Sequence, residues 1–340
     1  MKLRMIMAGL ALTALVGPAA AQDKTYNLKL SHWVPATHPL QKAMEEWGAS
    51  VEKASGGSLK YSVFPAQQLG KAQDHYDMTR DGIVDLSYIN PGFQPGRFPI
   101  VSAGELPFLV GDAKGGIRAM DMWYRKYAAT EMKDVKYCFA FVLDPVRLHT
   151  RAKKVVVPAD MKGLKVRPSQ ATFAAWVTLL GGTNVQSGPA EAADLMSKGV
   201  ADAITFPWGS VTLLGADKVT KYHLEIPLAT ATFQWIMNQK VYDGMSASQK
   251  KVIDDHCNTD WASKFANPWA EYEAAGIQKI KAMSDHEIIT PTAAQIAEWK
   301  QSGEPLQKQW ADAVRKANAG DPDTIMKELR AALAQNNAQY

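Results

Sequence analysis

From residue 26 onward, short apolar runs alternate with longer segments whose apolar positions recur every three or four residues, the pattern of strands interleaved with amphipathic helices. Tyr26 to Ser31 predicts a strand, His38 to Ala54 an amphipathic helix, Leu59 to Phe64 a strand, Ala72 to Asp81 a helix and Val84 to Ile89 a third strand. This alternation implies parallel βαβ units with helices on both faces of a sheet. The loops at the strand ends then form the natural ligand crevice.

The pattern resumes after a break. Tyr137 to Leu143 predicts a strand, Val155 to Val157 a short extended piece and Leu164 to Arg167 a strand. A helix over Thr172 to Leu180, a strand over Asn184 to Gln186, a helix over Ala190 to Lys198 and a strand over Ala203 to Phe206 follow. A second α/β lobe therefore starts near residue 146. From Ser246 to Ala282 the sequence is almost continuously helical, and Pro268 predicts a kink within one long helix that braces both lobes. The polar end, NNAQY, is expected to fray.

The N-terminus adds a compartment. Lys2 and Arg4 precede an apolar stretch from Met5 to Val16, and Pro18 introduces Ala19-Ala20-Ala21. This fits a secretory signal peptide cleaved after Ala21. The stretch is shorter than the ~20 residues of a spanning helix, so a periplasmic protein is expected. The roughly 320 residues left exceed what one core usually supports. The expected division is a signal peptide (1–21), lobe I (22–145 plus about 233–270), lobe II (146–232 plus about 271–320) and a C-terminal tail (321–340).

Composition narrows the function classes. A formal net charge of +4, with Lys and Arg interspersed among Asp and Glu, does not mark a nucleic-acid binder but suits anion capture. Cys138, in an apolar strand, and Cys257, in a predicted helix, read slightly better as buried free thiols than as a disulfide. The seven histidines are scattered, and no HExxH, GxSxG or phosphate loop occurs, so no catalytic residue, metal or cofactor is expected.

One charge is hard to place structurally. Arg167 ends a predicted strand directly before Pro168 and an apolar helix. A guanidinium there can pair with an internal acid or clamp a carboxylate through parallel N–H donors. Seven fragments in order weigh on the choice: LSHWVPATHPLQKAMEEW, VFPAQQLG, DGIVDLSYI, ELPFL, MKGLKVRPSQ, GVADAITFP and IMNQKVYDGMSASQKKVI. Together they resemble the DctP-like solute-binding proteins of tripartite ATP-independent periplasmic (TRAP) transporters. The resemblance covers nearly the whole chain after the leader. It implies a two-lobed α/β periplasmic binding fold with crossing strands and a long lobe-spanning helix, closing on a small ligand that passes to a membrane permease. It also implies that Arg167 salt-bridges the ligand's carboxylate.

By the same resemblance Arg147 stands where a second ligand-facing group can occur, against the alternative of a hinge ion pair. Asn90 and Trp33 match ligand-lining positions, though Asn90-Pro91-Gly92 is also a strong turn signal and a Trp commonly caps a core. The departure is TFPW, where Phe206 stands in place of the polar residue, often Asn, of many acid-binding relatives. Phe206, Trp208 and Trp235, with Trp33, would give Arg167 an aromatic box, while Phe173 reads as core. A first ligand is therefore an aromatic or partly apolar monocarboxylate. A short hydroxy or keto acid, a dicarboxylate or a sulfonate is the alternative, as is a ligand-sensing role. TRAP permease subunits are the expected partners of a monomer.

Overall fold

The apolar runs pair as their alternation requires. In the computed structural model, which describes residues 23–340, β1 (Tyr26–Ser31) lies between β2 (Leu59–Phe64) and β3 (Leu86–Ile89), parallel to both. The predicted signal peptide lies outside the described residues. Between β1 and β2 runs α1 (Pro39–Ala54), where Pro39 sits in the first turn and gives up an N–H that would have had no helical partner. Its buried positions Leu40, Ala43, Met44, Trp47 and Val51 recur at helical spacing and form the face that meets the first core.

The first half continues through α2 (His75–Arg80), α3 (Ala113–Tyr124), α4 (Ala128–Glu131) and β4 (Val135–Val142). The second comprises β5 (Val146–Thr150), β6 (Lys165–Arg167), α5 (Ala171–Leu179), β7 (Thr183–Asn184), α6 (Ala192–Ser197), β8 (Ala203–Phe206), α7 (Trp208–Leu213) and β9 (Tyr222–Ala229). After β10 (Thr232–Asn238) come α8 (Gln239–Asp243), α9 (Ala247–Asp255), α10 (Thr259–Lys281), β11 (Glu287–Ile289), α11 (Ala293–Lys316) and α12 (Pro322–Gln335).

Two sheets result, in the orders β2-β1-β3-β10-β4 and β11-β9-β5-β8-β6-β7. The chain passes from the first to the second between β4 and β5, and returns between β9 and β10. The two crossings are tied together, because Thr230 donates its hydroxyl to the Leu143 carbonyl at 2.7 Å. Gln170, at the start of α5, reaches the same point through its side-chain amide, 2.9 Å from the Thr230 carbonyl. Glu105 adds a buried link, accepting from Thr172 on α5 and Thr232 on β10 at 2.9 Å each. Burial pushes its carboxyl up to about 7.

Helix α10 is the brace, but it is shorter than the sequence pattern implies. The helical stretch breaks at His256 to Asn258, where Asn258 caps α10 by accepting the Trp261 N–H at 3.0 Å. Pro268 lies inside α10. One end of α10 packs on α1, α3 and β4, the other on α7. The contact with α7 needs a bare backbone: a Cβ on Gly276 would stand 2.2 Å from the Gly209 nitrogen.

The break explains a second correction. Cys138 and Cys257 are joined, with Cα atoms 4.3 Å apart, although free thiols were the preferred expectation. Cys257 occupies the interhelical junction rather than a helix interior, so it can meet β4 across the layer.

The C-terminus also differs from expectation. α12 packs on α3, Ala338 is buried, and Gly111 donates its N–H to the Ala338 carbonyl at 2.8 Å. The NNAQY end is thus pinned beside Val110 instead of frayed. Helix α11, 24 residues long, had no sequence-based expectation; Trp299 and Trp310 anchor it through indole donors to the Val156 and Pro99 carbonyls. Phe173 packs against Trp176 in the core as expected.

The disulfide closes a loop with a sequence separation of 119. Its loss should lower the unfolding free energy by about 2–5 kcal/mol. Urea denaturation of a Cys138→Ala/Cys257→Ala double variant beside the oxidised protein checks this, and equal midpoints would contradict it.

Candidate functional site

The C-terminal ends of parallel strands leave a crevice that no regular backbone fills. Trp33 follows β1, Asn90 follows β3, Arg167 ends β6 and Phe206 ends β8. These four residues, two from each sheet, line one cavity between the lobes with about 560 Å³ of atom-free space including its mouth.

Arg167 is the chemical centre. It is 1% exposed, and among the described residues no acidic side chain lies within ion-pair distance. Nη2 donates to the Ser187 carbonyl at 3.0 Å, while Nε is buried without a partner. The guanidinium lies 5.0 Å from the Phe206 ring centroid, a cation–π distance. Burial pulls its pKa down to about 10, with Glu191 opposing, so the group keeps its charge at neutral pH. An unpaired buried cation carries a large desolvation cost that a bound anion would offset.

The opposite wall is aromatic. Trp33 stacks on Tyr88 with ring centroids 4.0 Å apart, Tyr88 on Phe233 at 5.1 Å, and Phe233 meets Trp269 of α10 at 5.3 Å. Phe93 leans on Trp33 at 5.7 Å from the short turn that Asn90 caps. In that cap the Asn90 side-chain oxygen accepts the Gly92 N–H at 2.8 Å, so the turn role and the lining role coexist.

The other sequence candidates lie elsewhere. Trp208 packs in the second lobe's core against His149 at 5.4 Å, and Trp235 in the first lobe's core against Trp47 at 5.6 Å. Neither lines the cavity. Arg147 is paired with Asp144 at 2.7 Å and also does not line it, whereas Asp144 does.

Sequence reasoning passed over Tyr88, Phe93, Phe233, Trp269, His38 and Asp144. Phe233 had a usable signal: it lies two residues before Trp235 on the same strand, hence on the same face. Which of the two stands at the cavity depends on where β10 pairs with β3, which places Trp235 beside Tyr88 and Phe233 beyond the strand pair. Trp269 and Asp144 had no local signal.

His38 supplies a polar point in the aromatic wall. As N-cap of α1 its Nδ1 accepts the Leu40 N–H at 3.1 Å, so the neutral ring carries its proton on Nε2. Its ring meets Trp269 edge-on at 4.5 Å. Burial pulls its pKa down to about 3, with the His32 charge a smaller cause.

Residues 30–313 match the model of the bacterial extracellular solute-binding proteins, family 7. Three solved structures are similar over nearly the whole fold. One, a TRAP solute-binding protein from Rhodoferax ferrireducens in complex with copurified benzoate, is 28% identical, with a TM-score of 0.86 over 92% of this chain and 99% of its own. A marine-metagenome TRAP protein specific for aromatic acid ligands, with 3-hydroxybenzoate, is also 28% identical, with a TM-score of 0.85 over 92% of this chain and 99% of its own. A TRAP periplasmic protein from Bordetella bronchiseptica, with bound (R)- and (S)-mandelate, is 26% identical, with a TM-score of 0.84 over 91% and 99%.

His38 gives the cavity wall a pH signature. Its folded pKa of about 3 lies below the unfolded value of 6.5, so the unfolded chain binds more protons between them and stability falls as pH drops through that window. The loss reaches about 1.4 kcal/mol per pH unit from this group. His38→Asn keeps a capping side chain and should fall less steeply in urea midpoint from pH 6.5 to 4.5. Parallel pH profiles would contradict the assignment.

Proposed function

The chain belongs to family 7 of the bacterial extracellular solute-binding proteins, and from that premise we propose that it captures an aromatic or partly apolar monocarboxylate and passes it to a TRAP permease. The observation that carries this reading is Arg167, a buried guanidinium without an acidic partner among the described residues, at one end of an aromatic cavity. Two parallel N–H donors fit two carboxylate oxygens, and the ring of an aromatic acid then meets Trp33, Phe93 and Phe206.

Three similar proteins bind benzoate, 3-hydroxybenzoate or mandelate, which supports an aromatic acid here. Phe206 supports it from within the chain. A ligand with hydroxyls along its length would leave polar groups unpaired against that ring, at roughly 1–3 kcal/mol each. The family is one of transport, not of catalysis. Delivery from the periplasm to permease subunits is the family's mode of action and is proposed for this chain on that basis.

Closure follows from the architecture. The ligand would touch residues of both sheets, so binding draws the lobes together about the tied crossings at Leu143 and Thr230.

Isothermal titration of benzoate and mandelate against the protein lacking residues 1–21 tests the reading directly. Arg167→Ala should cost about 2–5 kcal/mol of affinity while the variant stays folded, and Arg167→Lys should also fail because the two-point geometry is lost. Phe206→Asn should weaken both ligands. Wild-type affinity in folded Arg167→Ala, or no binding of any aromatic acid by the unsubstituted protein, would remove the proposal.

A further inference from the structure

Pro145 turns the chain from the first sheet into the second, and the charged residues flanking it act as one unit. Arg147 Nη1 donates to Asp144 Oδ2 at 2.7 Å and also to the Pro145 carbonyl. Both side chains are mostly buried, at 14% and 17% exposed. Only Asp144 lines the cavity. Its second oxygen, Oδ1, has no protein partner among the described residues, so a fixed carboxylate offers one free acceptor to a largely apolar cavity.

We propose that Asp144 is the second determinant of ligand choice: it accepts a hydrogen bond from a hydroxyl on the bound aromatic acid and turns away a second carboxylate. This inference rests on the cavity being an aromatic monocarboxylate site. A hydroxyl meets Asp144 Oδ1 in a charge-assisted hydrogen bond, stronger than one between neutral groups. A second carboxylate at the same place would be desolvated beside a like charge with no cation left for it. Arg147, the nearest cation, is already engaged by Asp144 and by the Pro145 carbonyl.

Arg147 is then a positioning residue. By holding Oδ2 it fixes the direction of Oδ1 and favours the ionised carboxylate, against the burial that pushes the Asp144 pKa upward. His38 fits the same ligand, since its Nε2–H is a donor on the same cavity and a hydroxyl oxygen can accept as well as donate.

The test is titration calorimetry with benzoate, the three hydroxybenzoates and the three benzene dicarboxylates, on the unsubstituted protein and on Asp144→Asn and Asp144→Ser. The unsubstituted protein should bind one hydroxybenzoate about tenfold tighter than the dicarboxylate of the same substitution pattern, or more. Both Asp144 variants should shrink that ratio by about tenfold. Arg147→Met should shift the ratio in the same direction, whereas a purely structural role would weaken all ligands alike. Benzoate binding with a ratio that stays the same in the variants overturns the role of Asp144 and leaves the aromatic-acid reading standing. A dicarboxylate bound by the unsubstituted protein as tightly as the hydroxybenzoate also overturns it, and needs no variant to fold. Failure of every probe to bind overturns the aromatic-acid reading, and this inference with it.

Discussion

A guanidinium taken out of water without a counter-charge is the constraint around which this molecule is arranged. Burying an isolated cation is costly, and Arg167 recovers only part of its hydration through the Ser187 carbonyl and the face of Phe206. The rest of the fold must hold the group in place against that cost. It does so by ending β6 at Arg167 between β7 and β8, whose ladders fix the backbone, and by following it with α5, whose Phe173 and Trp176 are locked in the core.

Two sheets are joined across the crossings by specific contacts. Polar joints tie the crossings, Thr230 to Leu143, Gln170 to Thr230, and Glu105 to Thr172 and Thr232, beside an apolar core that includes residues of both sheets. Alongside them α10 runs from the first lobe to α7, where Glu273 accepts the Ser210 N–H at 2.7 Å and the Trp269 indole N–H at 2.8 Å. Trp269 belongs to the aromatic wall, so the residue that ties the brace to the second lobe also fixes one wall of the cavity. Burial pushes Glu105 and Glu273 both up to about 7, opposite in sign to His38. Stability contributed by these carboxyls is present below 4.5 and is lost as pH rises through 7.

The cavity lining combines charge with stacked rings. The lining presents a cation, Arg167, and a paired carboxylate, Asp144, together with stacked rings and neutral polar groups that include His38 and Asn90. Aromatic contact adds roughly 0.5–1.5 kcal/mol per well-placed ring pair beyond burial. Under the proposed function, charge placement would set the ligand's orientation and ring placement would favour carboxylates with an apolar body.

What the sequence determined by itself was local. β1, β2 and β8 have the boundaries their alternation predicts, α1 begins one residue later than expected, and Arg167, Trp33, Asn90 and Phe206 share one cavity because each stands at a strand's end. Periodicity reports which face of an element is buried, and strand ends in an α/β sheet face the crevice whatever the rest of the chain does. Tertiary structure decided the remainder. Trp235 and Trp208 are as apolar as Phe233 and Phe206, yet only pairing register and lobe packing separate core from cavity. Cys257 reads as helical until Asn258 caps the next helix and the gap meets Cys138. Arg147 is the ligand candidate in the sequence, yet the turn at Pro145 sends Asp144 to the cavity and holds Arg147 behind it. These outcomes depend on contacts between residues far apart in the chain, for which a single sequence carries no periodic signal.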